Sequence, residues 1–212
     1  QVQLASNAPA ASEASFKSAI QQDPKEISSY RALSQLYARQ NRLDDALQVL
    51  RTGLQQDPKN MVLRLGVAGI QEAKHDIEGA MGTYESMLKD DPTSMLIANN
   101  LASLLSDYRS DKESLERAYS FASILAKAQV PQFKDTLGWI NHLRGDNVTA
   151  LQMLEEAARE LPKVALVQFH LGATYQAVGQ PQKATEQFKK AAELVIGQDD
   201  AVAQKIRAAL KS

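Results

Sequence analysis

The sequence predicts an all-α solenoid, a stack of short helix-turn-helix repeats, and three observations carry that prediction. "QQDPK" occurs at 21–25 and again at 55–59, followed by "KDDPT" at 89–93 and "ARELPK" at 158–163. Pro24, Pro58 and Pro92 recur at intervals of 34 residues, and self-similarity at a period of roughly 20 to 50 residues marks a repeat array. Eight residues before each of Pro24, Pro58, Pro92 and Pro162 stands a large side chain, Phe16, Leu50, Tyr84 or Leu154, and four residues earlier a small one, Ser12, Ala46, Ala80 or Ala150. Small residues at fixed places let two helices approach closely, and a proline beyond the second helix ends it.

This pattern resembles the tetratricopeptide repeat (TPR), a unit of two antiparallel helices with small or apolar residues at set positions and a proline near its end. The resemblance implies a right-handed α-solenoid. With the proline at repeat position 32, residues 1–11 are expected as a flexible leader and 12–26 as a half repeat whose first helix lies in a longer parent chain. Five repeats follow at 27–60, 61–94, 95–130, 131–164 and 165–198. In the first, Tyr30, Leu33, Ser34, Tyr37, Ala46, Leu50, Gly53 and Pro58 fill the family's signature positions. In the fourth these are Leu137, Gly138, Gly145, Ala150, Leu154, Ala157 and Pro162, and in the fifth Leu171, Gly172, Tyr175, Gly179, Ala184, Phe188 and Ala191.

Departures set further expectations. The second repeat has Gln71 where an aromatic or Leu is usual and carries Gly66, Gly69, Gly79 and Gly82. Each glycine inside a helix costs about 1 kcal/mol relative to Ala, so this repeat should be the loosest. In the third, "SDYRSDKES" reads as a longer turn, with Ser110 and Glu113 spaced as a capping box for the next helix. Residues 199–212 read as a closing helix, capped by Asp199 or Asp200, with Val202, Ile206 and Leu210 as its apolar stripe and Gln204, Lys205, Arg207 and Lys211 on its polar faces.

Composition narrows function. Lys plus Arg number 24 against 25 for Asp plus Glu, so no global field would gather nucleic acid. No apolar run approaches the roughly 20 residues that span a bilayer. There is no cysteine, hence no thiolate nucleophile or Cys-based zinc site. No phosphate-binding loop, dinucleotide fingerprint, HExxH or GxSxG is present. The reading is therefore non-enzymatic, with no catalytic residues, no cofactor and no metal. His75, His142 and His170 fall in three different repeats and read as solvated or groove-lining. "RGD" at 144–146 reads as a turn, Gly145 capping one helix and Asp146 opening the next.

Carried over from the family, the concave face is lined by Arg31, Gln35 and Arg39 in the first repeat and by Asn99, Asn100 and Ser103 in the third. Asp135, Trp139 and His142 line it in the fourth, and Phe169 and His170 in the fifth. An aromatic cluster beside hydrogen-bonding side chains suits a protein or peptide partner. A second reading of Trp139, that it packs against the first helix of the fifth repeat, stays open. The family's Lys and Asn clamp on a peptide carboxylate is not reproduced at the matching positions. "NNLASLL", "DTLGW" and "GD" also resemble the C-terminal repeats of bacterial TPR proteins linked to exopolysaccharide export and PEP-CTERM exosortase sorting. That likeness implies an envelope or periplasmic setting, in which these repeats would serve as a scaffold or as an accessory domain of a larger machine. Oligomeric state is open.

Overall fold

The computed structural model describes residues 2–198 and 200–210, which form twelve α-helices, one 3-10 segment and no strand. No described helix is long and apolar enough to cross a membrane. The helices divide into two compact units, residues 1–92 and 93–212.

The first unit contains α1 (Val2–Gln22), α2 (Ile27–Arg39), α3 (Leu43–Gln56), α4 (Met61–Ala73) and α5 (Ile77–Asp90). Residues 2–11, expected as a flexible leader, carry the helical backbone of α1 instead. The stretch holds four alanines and no glycine, which favour a helix, and Pro9, which opposes one. Farther along α1, Glu13 accepts hydrogen bonds from Lys17 at 2.7 Å, Tyr37 at 2.9 Å and Arg42 at 2.9 Å. Those partners, Lys17 first, hold its pKa down to about 2. Phe16 and Ile20 pack beside this ion cluster onto the core formed by Tyr30, Leu33, Tyr37, Ala46, Leu50 and Leu63.

Small residues set the distance within each pair. Ala46 is fully buried, and a Cβ added to Gly53 would lie 2.8 Å from Leu63 Cδ1 and 2.9 Å from Tyr30 Cγ. The Tyr30 hydroxyl donates to the Pro24 carbonyl at 3.0 Å, tying α2 to the first proline turn. Between paired helices the chain passes through one left-handed residue: Asn41 (φ 59°), His75 (φ 58°), Gly145 (φ 90°) and Gly179 (φ 74°). Glycine adopts that conformation without strain and Asn tolerates it. His75 is thus a turn residue.

The glycines of the second helix pair, α4 and α5, divide into two kinds. At Gly79 a Cβ would meet Asp76 Oδ2 at 2.2 Å, because the Asp76 carboxylate caps α5 by accepting from the Gly79 N–H at 3.1 Å. At Gly66 it would press on the Leu50 methyls at 3.1 Å. Gly69 and Gly82 are exposed and face open space. Gln71 is buried, and its amide oxygen accepts from Thr83 at 2.8 Å. Of the four glycines expected to loosen this repeat, only Gly69 and Gly82 therefore stand where an alanine would fit freely.

The second unit contains α6 (Met95–Tyr108), α7 (Lys112–Ala122), a 3-10 segment (Ser123–Lys127), α8 (Pro131–Leu143), α9 (Asn147–Glu160), α10 (Ala165–Ala177), α11 (Pro181–Leu194) and α12 (Ala201–Ala209). The long turn expected after α6 is absent: α6 continues through Tyr108, and only residues 109–111 separate it from α7. The additional length lies in α6 and in the 3-10 segment that follows α7. The cap of α7 is Asp111, which accepts from the Ser114 N–H at 2.9 Å, in place of the expected Ser110 and Glu113 box. A carboxylate one residue closer to the helix is the better acceptor and also favours the positive helix end.

Leu137, Gly138, Ala150, Leu154, Leu171, Gly172, Ala184 and Phe188 are buried as paired faces. A Cβ at Gly172 would lie 2.7 Å from the Phe188 ring and one at Gly138 2.9 Å from Leu154 Cγ. Helix α12 is capped by Asp200, which accepts from the Ala203 N–H at 2.8 Å; Asp199 and Lys211 lie outside the described residues. Its buried residues are Ala203 and Ile206, while Val202 and Leu210 are exposed. The stripe is shifted because small Ala203 faces the packed side and leaves the larger Val202 outside.

Two measurements test this packing. Gly69→Ala and Gly82→Ala should each stabilise the chain by about 0.5–1 kcal/mol, seen as a higher midpoint in denaturant, whereas Gly79→Ala should lower it. Equal gains at all three sites would contradict the cap geometry. Leu154→Ala should cost about 2–5 kcal/mol through lost burial and a cavity; a loss below 1 kcal/mol would mean that the α8 and α9 interface collapses around the gap.

Candidate partner-binding site

The residues read as groove-lining fall in both units. In the first, Arg31, Gln35 and Arg39 are exposed on α2, and their spacing of four aligns them along one stripe. In the second, α6, α8 and α10 neighbour one another in that order. They present half-buried Asn99, Asn100 and Ser103, buried Asp135 and Trp139 with half-buried His142, and buried Phe169 and His170.

The aromatic cluster read as groove-lining is a packed one, with Trp139 lying against α10 as its second reading has it. Trp139 is only 6% exposed. The His170 ring stacks on it at 4.1 Å between centroids with planes 13° apart, and the His142 ring at 4.8 Å and 20°. Phe169 lies tilted beside it at 6.1 Å and links onward to Phe188 at 5.8 Å. From α12 the Lys205 ammonium stands 5.3 Å from the Trp139 ring and 5.2 Å from Phe169, a cation–π arrangement. The covering atoms come from α10 and α12 and from one turn farther along α8, which a single-repeat phase does not register.

Around this stack the polar groups are unevenly satisfied. His170, 3% exposed, shares a 3.0 Å hydrogen bond between its Nδ1 and Asp135 Oδ1. With the proton on Nδ1 directed at the carboxylate, Nε2 presents a lone pair. That Nε2, the Trp139 indole Nε1–H and the Asn99 amide oxygen are all buried without a hydrogen-bond partner. His142 Nδ1 pairs with Asn147 Oδ1 at 2.8 Å, and burial lowers its pKa against the pull of that bond. Asp107, four residues beyond Ser103 on α6, is an exposed residue, yet partial loss of water around its carboxyl raises its pKa. The charge of Lys205 opposes that rise, and Asp135 adds to it.

Asp107 and Lys205 were not singled out from the sequence. The signal for Asp107 is present: Asn99, Ser103 and Asp107 form one four-residue ladder. Lys205 gives none, since its position follows from how α12 docks.

The charged residues that flank Trp139 in residues 134–146 are structural. Lys134 pairs with Glu156 at 2.9 Å. Arg144 makes a two-pronged contact with Glu116 at 3.0 and 2.9 Å and lies 3.7 Å over the Tyr119 ring. Asp146 caps α9 by accepting from the Thr149 N–H at 3.2 Å. Among the described residues no three His, Asp or Glu side chains are grouped to hold a metal ion. What the cluster offers chemically is hydrogen bonding and charge.

The tetratricopeptide repeat family model matches residues 3–65 and 39–105. A search of curated proteins gives no match. Among solved structures, PilW, a widely conserved type IV pilus biogenesis factor, is 21% identical, with a TM-score of 0.68 over 87% of this chain and 86% of that one. YrrB, a TPR protein with an unusual peptide-binding site, is 18% identical, with a TM-score of 0.62 over 91% and 97% of the two chains. A MamA fragment from Desulfovibrio magneticus RS-1 is 18% identical, with a TM-score of 0.64 over 82% and 97%. At these identities the likeness is one of fold. From its helix pairs, its small-residue spacing and the family match, the chain belongs to the tetratricopeptide repeat family.

Proposed function

We propose that the face formed by α6, α8 and α10 binds a segment of a partner protein, and that the chain works by holding that segment and catalyses no reaction. The observation that carries this reading is the set of three buried side-chain atoms without partners, Asn99 Oδ1, Trp139 Nε1 and His170 Nε2. A buried polar atom left unsatisfied costs about 1–3 kcal/mol, and three of them on the neighbouring helices α6, α8 and α10 are explicable if a ligand completes them. A peptide brings both N–H and C=O groups at close spacing, which fits two acceptors and one donor. In this reading Trp139, Phe169 and Asp135 form the floor, with Asn99, Asn100, Ser103, His142 and His170 as the contacts. Arg31, Gln35 and Arg39 offer a separate donor-rich stripe on the first unit. The peptide-binding site named for YrrB supports the ligand class. PilW's part in pilus biogenesis, with the exopolysaccharide-type phrases in the sequence, supports a bacterial envelope setting.

The test is selection of random displayed peptides on the whole chain, followed by calorimetry of the winners on variants. Trp139→Phe keeps a ring in the stack and removes the indole N–H, so affinity should fall about tenfold, roughly 1.4 kcal/mol, with a small change in melting. Trp139→Ala, by contrast, should destabilise the fold itself by about 3–5 kcal/mol. Asn99→Leu should weaken binding while leaving stability equal or higher, since it removes an unpaired acceptor. Undiminished binding by both Trp139→Phe and Asn99→Leu would overturn the assignment.

A further inference from the structure

We propose that the partner segment enters this face with a lysine or arginine side chain, and that Lys205 of α12 stands in for that side chain in the free protein. The inference rests on the peptide-binding reading above and deepens it by naming the chemistry of the anchoring residue.

Charge complementarity points to a cation. Two carboxylates, Asp107 on α6 and Asp135 on α8, face the same cluster. Asp135 already serves His170 at 3.0 Å. Asp107 accepts one long hydrogen bond, from Ser103 at 3.4 Å, and no described cation lies within ion-pair distance of it. Asp107 is thus a carboxylate on the exposed edge of the cluster with no close ion-pair partner, and Lys205 acts on it only from a distance. The unpaired Asn99 Oδ1 and the His170 Nε2 lone pair are acceptors as well. An ammonium or guanidinium supplies several N–H donors with the compensating charge, which no neutral or acidic side chain does.

The second observation is where α12 places its own cation. Lys205 is exposed, and its ammonium reaches over Trp139 and Phe169 at 5.3 and 5.2 Å, close enough to act electrostatically on Asp107. The helix that carries it is short, with Ala203 and Ile206 as its buried side chains, and it follows Gly197 at φ 81°. So light an anchor lets α12 shift while the paired helices stay intact. A partner's basic residue would then take the position near the aromatic floor and Asp107 that Lys205 now shares.

The test uses the 212-residue chain and the peptides selected as above. Trp139, the only tryptophan, reports binding by its fluorescence. The winners should be enriched in Lys or Arg, and each should be remade with norleucine for Lys or citrulline for Arg. That replacement should weaken binding to the wild-type chain about tenfold and weaken it hardly at all in Asp107→Asn, because the two changes remove one interaction. Lys205→Ala should tighten the basic peptides about threefold by removing the internal competitor. If peptides bind yet show no basic enrichment, or if the Asp107→Asn and norleucine losses simply add, this proposal fails while the peptide-binding reading stands. Unchanged or weaker binding in Lys205→Ala overturns the stand-in role. If no peptide is selected at all, both readings fall.

Discussion

Everything in this chain depends on how closely the two helices of a pair can approach. Ala46, Ala80 and Ala150 show no exposed surface. Opposite such positions Gly138 and Gly172 stand where a single added carbon would collide with Leu154 or Phe188. At that spacing the large residues eight before each proline interlock with the partner helix. One pair cannot bury such a face alone, so neighbouring pairs must stack. Stacking in turn aligns the first helices side by side, and their remaining face becomes a surface that the core does not need.

That surface explains why polar residues are tolerated so far inside. On α6, α8 and α10 the core is supplied by Leu101, Leu105, Leu137, Ile140 and Leu171. Asn99, Asp135, Trp139 and His170 are therefore free to answer to another requirement. Their burial comes from one another: a tryptophan between two imidazoles, an imidazole oriented by a carboxylate. A network only partly satisfied is costly in a low-dielectric setting. Core packing alone would favour aliphatic residues at these positions.

Much of the fold was legible because its determinants are local and periodic. Small residues, prolines and large apolar positions recur in phase, and α2, α4, α6, α8 and α10 begin at Ile27, Met61, Met95, Pro131 and Ala165. Features were misread where two neighbouring residues compete for one role. Asp111 displaced Ser110 as the cap of α7, and Ala203 displaced Val202 on the packed face of α12. The glycines of the second pair could not be sorted from sequence, because whether a Cβ has room depends on Asp76 and Leu50. Of the site, repeat phase placed the candidate residues on α8 and α10 and offered packing of Trp139 on α10 as one reading, but it could not choose between a groove-lining and a packed tryptophan. Burial of Trp139 depends on His170 from the next pair and on Lys205 from a helix outside the repeat pattern.

The same distinction separates what holds Trp139 from what Trp139 does. Its ring faces meet imidazoles and an ammonium, all polar groups that pack on an indole through its electron-rich surface. Its N–H meets nothing. A tryptophan retained only for packing could be replaced by an apolar ring at no hydrogen-bonding cost, so the unpaired indole N–H, with unpaired acceptors on the neighbouring helices α6 and α10, is the feature that core formation leaves unexplained. Stability accounts for the ring, the proposed peptide contact would account for the nitrogen, and one side chain can serve both because the repeat places it where the packed interior meets the open face.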